Sequence, residues 1–224
     1  MKSIVKITVL WLASITTFAQ IANDNTLSVQ IDGKEYKTAP RRINIGAVWY
    51  ITANAIKPDK SLRFWFLTFE GKQIPGPGLY KIVDENYNTK RKTNEEILEN
   101  GKYKGIAFAR YVEETKTPRM EFHLGKSRRE NGGEIEITAS SEKSLEGKFS
   151  ATLDGTYWKE RTSSTVFGGV GRLMNKLEDK AITSATGYDS DIDPEKWDYK
   201  RQDKKDEIVL QEGVFKLVLM KNEK

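Results

Sequence analysis

The chain has no cysteine and a single histidine among its 224 residues. Without cysteine there is no disulfide framework, no thiolate nucleophile and no cysteine metal site. One histidine, His123, cannot build a multi-histidine metal centre. Long apolar runs are also missing. Ile7–Phe18 is shorter than the about 20 residues that span a bilayer, and no second run of this kind follows. Nor does one sign of charge prevail. Lys and Arg total 37 against 32 Asp and Glu, for a formal net charge of +5. Charged residues of both signs make up 31% of the chain, which describes an ordinary solvated surface. The basic balance gives only weak support for an anionic partner.

What is present first is an address. Lys2 and Lys6 precede the apolar run, and Thr17-Phe18-Ala19 forms a small-x-small site before Gln20. This is the pattern of a secretory signal peptide. It predicts a signal over residues 1–19 and one β domain over 20–224, exported to the periplasm or the medium. Both lysines leave with the signal, so the mature charge falls by two units. Without cysteine after the run, a lipid anchor at the mature N-terminus is excluded. A domain of this size buries about 70% of its unfolded surface and needs no covalent staple.

The mature chain reads mainly as strands. Leu27, Val29 and Ile31 alternate with polar residues, Gly33-Lys34 signals a hairpin, and Tyr36 falls in the return strand. Ala47–Ile56 is a second candidate strand. Ser61–Phe69 is apolar on both faces, with Leu62, Phe64 and Phe66 on one and Trp65, Leu67 and Phe69 on the other. Such a strand is covered on both sides, and alternation alone leaves open which trio points inward. Pro75-Gly76-Pro77-Gly78 is a loop. Thr93 and Glu96 have the spacing of a capping box, predicting a short helix with Ile97 and Leu98 that ends at Gly101. Further strands are expected over 104–113, 119–124, 134–139 and 145–153. Asn131-Gly132-Gly133 and Asp154-Gly155 read as turns.

From about 159 to 206 the strand signal stops. Val170, Leu173, Met174, Leu177 and Ala181 recur at helical spacing. Ile208–Leu210 and Val214–Met220 then read as a last hairpin around Glu212-Gly213. The expected class is all-β: an antiparallel sandwich or lipocalin-like barrel of about nine or ten strands. A helical insertion precedes its final hairpin.

Several of these segments resemble an uncharacterised family of small secreted bacterial β-proteins, a domain of unknown function. The resemblance rests on residues 28–36, on Pro77-Gly78-Leu79-Tyr80, and on Gly133-Glu134-Ile135-Glu136-Ile137-Thr138 followed by residues 145–150. Glu212-Gly213-Val214-Phe215 looks like its closing strand. The resemblance implies a β-sandwich or lipocalin-like meander and lends no catalytic residue. It does not reach the insertion.

Few constellations carry chemistry. Asp189, Asp191, Asp193 and Glu195 alternate in one acidic loop, and hard cations such as Ca²⁺ take several oxygen ligands. Pro194 replaces the turn glycine of an EF-hand, and Lys200 stands where its last glutamate belongs. A solvated linker, or a helix start capped by Asp193, accounts for the same residues. Gly168-Gly169-Val170-Gly171 lacks the lysine and hydroxyl pair of a phosphate loop. His123 sits in an alternating strand with no nucleophile elbow in the chain. Lys90-Arg91-Lys92 and Lys126-Ser127-Arg128-Arg129 are basic, but nucleic acid needs stacking aromatics interleaved with them, and export argues against it.

The aromatic residues remain. Trp49, Phe64, Trp65, Phe66 and Trp158 are candidates for the core and for an apolar ligand site, since one face of the Phe64 strand is left to meet the inserted helix, another subunit or an apolar ligand. The expected role is therefore non-catalytic: an exported binding or structural protein of the bacterial cell envelope. Its partner is an apolar small molecule or an envelope protein, without nucleic acid, transmembrane segment or resident cofactor beyond a candidate Ca²⁺ loop. One alternative docks a partner through residues 160–205. Another is a hydrolase of envelope polymers using Glu113 with Glu121, or the Asp189 cluster.

Overall fold

The computed structural model describes residues 25–45, 48–54, 60–68, 74–84, 87, 94–115, 119–128, 130–160 and 199–218. Of 41–45, 48–50, 52–54, 67–68 and 94 only the backbone is described. The chain is mostly strand, so the all-β class stands. β1 (Thr26–Ile31) and β2 (Lys34–Thr38) form the first hairpin. Leu27, Val29, Ile31 and Tyr36 are buried on one face, as alternation predicts. The turn falls one residue earlier than Gly33-Lys34. Ile31 pairs with Lys34, and the loop is Asp32-Gly33 with φ of 50° and 75°. Positive φ at both residues belongs to the turns that match the twist of paired strands.

β3 (Arg41–Ile45), β4 (Val48–Asn54) and β5 (Lys60–Thr68) continue as an antiparallel meander. β6 (Gly78–Ile82) follows the Pro-Gly loop, then α1 (Asn94–Ile97) and β7 (Gly105–Thr115). The short helix is where the capping-box spacing puts it, although Thr93 lies outside the described residues. Ile97 is buried with Val83 and Ile106, and Gly101 closes the turn at φ 89°. β8 (Glu121–Ser127), β9 (Gly133–Ser140), β10 (Ser144–Glu160) and β11 (Tyr199–Val218) complete the sheet.

All eleven strands belong to one sheet, ordered β2-β1-β11-β10-β9-β6-β7-β5-β4-β3, with β8 between β10 and β7. It is not wholly antiparallel: β6 and β7 run parallel. A parallel pair needs a crossover, and the segment carrying α1 supplies it. The sheet curls until its inner face meets itself. β5 and β10 are at least three strand steps apart, roughly 14 Å in a flat sheet. Yet the rings of Phe64 and Phe149 lie 4.6 Å apart. This single curled sheet favours the barrel over two stacked sheets, and among the described residues no ladder joins β2 to β3.

The inner face holds the core. Leu62, Phe64 and Phe66 are buried there, with Phe66 edge-on to Tyr80 at 5.3 Å. Each buried side chain of this size contributes about 1.5–3 kcal/mol. Trp65 is on the outer face, half-buried and stacked on Phe108 at 5.4 Å. Phe108 in turn packs against Val83 and Ile97 of the α1 crossover and against Ile106. The strand is apolar on both sides because both sides are covered.

Two expected turns are strand interiors. β10 runs through Asp154-Gly155, and β11 runs through Glu212-Gly213. At Glu212, φ is 52°, and β11 has one residue more than β10 between the Phe149↔Gly213 and Ala151↔Leu210 pairs. That is a β-bulge, which uses the same residue types as a turn. A Cβ on Gly213 would collide with the Phe149 ring. The final hairpin is therefore one bent strand, and the insertion shrinks to 161–198, since Glu160 pairs with Tyr199. The charged run Lys200–Asp206 hides the strand because its side chains are mostly exposed. The helical spacing over 170–181 lies outside the described residues.

The sheet also forks. On β10, Leu145–Ala151 pair with β9, while Leu153–Lys159 pair with β8. On β7, Gly105–Ala107 pair with β6, while Arg110–Thr115 pair with β8. Two strands thus separate β10 from β7 at one end and one strand at the other. At the fork Ser127 is 6% exposed. Its hydroxyl donates to the Ala109 carbonyl at 2.9 Å and accepts from the Ala109 amide at 2.6 Å.

Candidate functional site

Beside the fork, on the outer face, lies a cavity of about 810 Å³. β6 contributes Lys81 and β9 contributes Glu134, both outward because Tyr80, Ile82 and Ile135 point inward. The turn after α1 brings Glu99, Lys102 and Tyr103, and the β8–β9 connection brings Glu130, Asn131 and Gly132. Its charges hold one another. Lys81 pairs with Glu99. Tyr103 donates to Glu134 at 2.5 Å, Lys102 reaches the same carboxylate at 3.1 Å, and the Lys102 ammonium donates to the Tyr103 hydroxyl at 2.7 Å.

The protonation states follow from these contacts. The Tyr103 hydroxyl leads in holding Glu134 below the usual carboxylate range, against some burial. Its bonds to Tyr103 and Glu134 raise the Lys102 ammonium. The bond to Glu99 raises Lys81. Burial, then Glu134, raises the Tyr103 hydroxyl. At neutral pH Glu134, Lys102 and Lys81 are therefore charged and Tyr103 keeps its proton, with donors and acceptors at fixed places. A second cavity of about 380 Å³ adjoins it, sharing Glu134 and Ser150 and adding Glu136, Lys148, Glu212 and Val214.

A second cluster closes one end of the inner face. Following the apolar rows, the inward positions of β7, β8, β10 and β11 turn polar at Glu113, His123, Tyr157 and Asp206. Asp206 and His123 stand on strands separated by β10, yet His123 Nε2 is 2.9 Å from Asp206 Oδ1. The intervening residue is Gly155, paired with Asp206 on one side and Gly125 on the other. A Cβ there would collide with the Asp206 carboxylate and lie 2.9 Å from His123 Nε2. Glycine in a strand interior marks such a close approach.

Tyr157 stacks on His123 at 4.2 Å and donates to Asp206 Oδ2 at 2.6 Å, with the Lys204 ammonium 4.1 Å over its ring. Burial raises Asp206, but the Tyr157 hydroxyl and His123 outweigh it and leave the carboxyl below its ordinary value. An ionised carboxylate only accepts, so the His123 Nε2 carries the proton. Burial and Asp206 push Tyr157 up to about 12. Alongside, Tyr111 donates to Glu113 at 3.0 Å and Lys60 pairs with Glu113 at 2.9 Å. These two bonds overcome burial and hold Glu113 low. Burial, reinforced by Glu113, raises Tyr111.

The residues singled out by sequence are scattered. Phe64 and Phe66 are core, and Trp65 is outside on Phe108. Trp158 packs in a separate cluster with Phe122, Met120 and Tyr199 and donates to Thr156 at 3.1 Å. Of Trp49 only the backbone is described, paired with Phe66. Phe64, Trp65, Phe66 and Trp158 line neither cavity described above. Asp189, Asp191, Asp193 and Glu195 lie outside the described residues, among which no His, Asp and Glu gather in threes suited to a metal. Glu113 and Glu121, on the neighbouring strands β7 and β8, each pair with a separate ammonium, Lys60 and Lys159. Sequence reading missed the cavity wall and the His123 clasp. Gly155 was the clasp's one signal, and Asp154-Gly155 has the same letters as a turn.

These features define an all-β domain of one curled, forked sheet with a polar cavity on its outer face. Among the described residues no helix is long and apolar enough to cross a membrane. Compared with known proteins, the chain matches no family model, no curated protein and no solved structure.

Proposed function

We propose that the protein is an exported, non-catalytic binding protein of the bacterial cell envelope that holds a polar ligand in the outer cavity. The cavity carries this reading. Its volume of about 810 Å³ falls within the roughly 300–1,000 Å³ of small-molecule sites. Its wall is a set of mutually paired Lys, Glu and Tyr side chains. Groups fixed before a ligand arrives lower the ordering cost of binding, and hydrogen bonds to charged groups are the stronger ones. Export rests on the Lys2–Ala19 pattern, and the resemblance to small secreted β-proteins agrees with it. An apolar ligand is less favoured, because Phe64 and Phe66 are packed against Phe149 and Tyr80. A second reading, partner docking through 161–198, draws on the paired arms Glu160 and Tyr199 that carry this segment.

The test is native mass spectrometry of the protein recovered from its own envelope fraction, beside a Lys102→Met/Glu134→Gln variant. The expected result is an exported protein with a discrete added mass that the variant loses. A bare mass in the native protein, or an adduct that survives in the variant, overturns the cavity assignment.

A further inference from the structure

We infer that the ligand is a linear polyhydroxylated chain, an oligosaccharide laid across the strands of the outer face. This rests on the reading of the cavity as a binding site and specifies its occupant. The two cavities share Glu134 and Ser150, so they form one cleft. It crosses β6, β9, β10 and β11, which are consecutive in the sheet. Three strand spacings give it a length of about 14 Å, before the α1 turn adds to one end. A single compact ligand leaves most of such a cleft empty.

Charge narrows the class. Glu99, Glu130, Glu134, Glu136 and Glu212 line the cleft with Lys81, Lys102 and Lys148. Among the described residues carboxylates outnumber ammonium groups here, which disfavours a polyanion such as nucleic acid or an acidic glycan. The backbone narrows it further. An extended peptide binds a sheet by adding to an open strand edge. Here β6 is paired on both sides, with β7 and β9, and β10 likewise with β9 and β11. Among the described residues the charged donors and acceptors of the cleft are side chains, at intervals along its length. Those suit a chain that presents hydroxyls along its whole length. Tyr87 and Tyr103 add ring surface at the larger cavity.

The experiment is calorimetric titration of the full exported chain with neutral oligomers of one to six units. The probes are β-1,4-linked N-acetylglucosamine, β-1,4-linked glucose and α-1,4-linked glucose. Affinity for one series should rise at least about tenfold from one unit to four and then level off. Val214→Asp, at a residue 52% exposed in the smaller cavity, should weaken the longer oligomers and spare the shortest. Lys102→Met should weaken all lengths. Affinity independent of length, or Val214→Asp without effect on long oligomers, overturns the linear-chain inference and leaves the cavity reading standing. So does a native adduct lost in the cavity variant when no oligomer binds. A mixed-sequence peptide that shows the length dependence where sugars do not also overturns it, in favour of a peptide ligand.

Discussion

Gly155 is the residue on which the inner-face clasp turns. With no side chain there, Asp206 reaches over β10 to His123 and still accepts from Tyr157. Gly155→Ala puts a methyl group into the carboxylate, and overpacking of this kind costs about 1–3 kcal/mol. Urea unfolding should show that loss. The losses from Gly155→Ala and Asp206→Asn should overlap in the double variant, because both remove one shared contact. Full additivity would mean that Gly155 matters for a reason other than Asp206. The sequence marks this glycine plainly but not its meaning. Asp-Gly between apolar stretches is the commonest hairpin turn, and only the partner strands on either side show it to be a gap for a passing side chain.

At the scale of elements the fork is the unusual feature. β8 ends where β9 and β6 take its place, so the backbone of Ala109 loses a ladder partner. The Ser127 hydroxyl serves both its amide and its carbonyl. Ser127→Ala leaves those buried groups unsatisfied, at about 1–3 kcal/mol. Hydrogen exchange should quicken at the Ala109 amide first, while amides in the β1–β2 hairpin keep their rates. Unchanged protection at Ala109 would show that the fork is held by other contacts. The elements themselves were largely legible. Leu27, Val29 and Ile31 lie on the core face, and α1 forms at the capping-box spacing. What escaped was each place where a strand bends or changes partner, because Glu212-Gly213 carries the residue types of a turn. The parallel β6–β7 pair depends on a contact between segments distant in sequence.

For the whole molecule, the paired carboxylates set the response to acid. Asp206, Glu113 and Glu134 all stand below their ordinary values in the folded state. A depressed carboxylate contributes stability that is complete above its unfolded value and disappears as pH falls through its folded value. Stability should hold between about pH 5 and 8 and decline as pH falls below the ordinary carboxylate values of 3.8 and 4.5. Tyr157 acts at the other limb. Its neutral form contributes below pH 10, and the contribution disappears as pH rises through about 12. Urea midpoints from pH 7 to pH 2 check the acid limb, which should be shallower in an Asp206→Asn/Glu113→Gln variant. An identical slope would place the acid sensitivity elsewhere.

The sequence by itself determined the class of the fold and much of its core. Period-two alternation places Leu27, Val29, Ile31 and Tyr36 on one face without help from any distant residue, and the missing cysteines exclude a stapled fold. It also narrowed Phe64 to one of two faces. The tertiary structure decided the rest: that Phe64 points in and Trp65 out, that the sheet forks at Ser127, and that the fork borders a charged cavity. Local pattern reports which residues share a face. Only the curl of the sheet brings Phe64 onto Phe149, and only strand order brings Asp206 to His123 and Lys102 to Glu134.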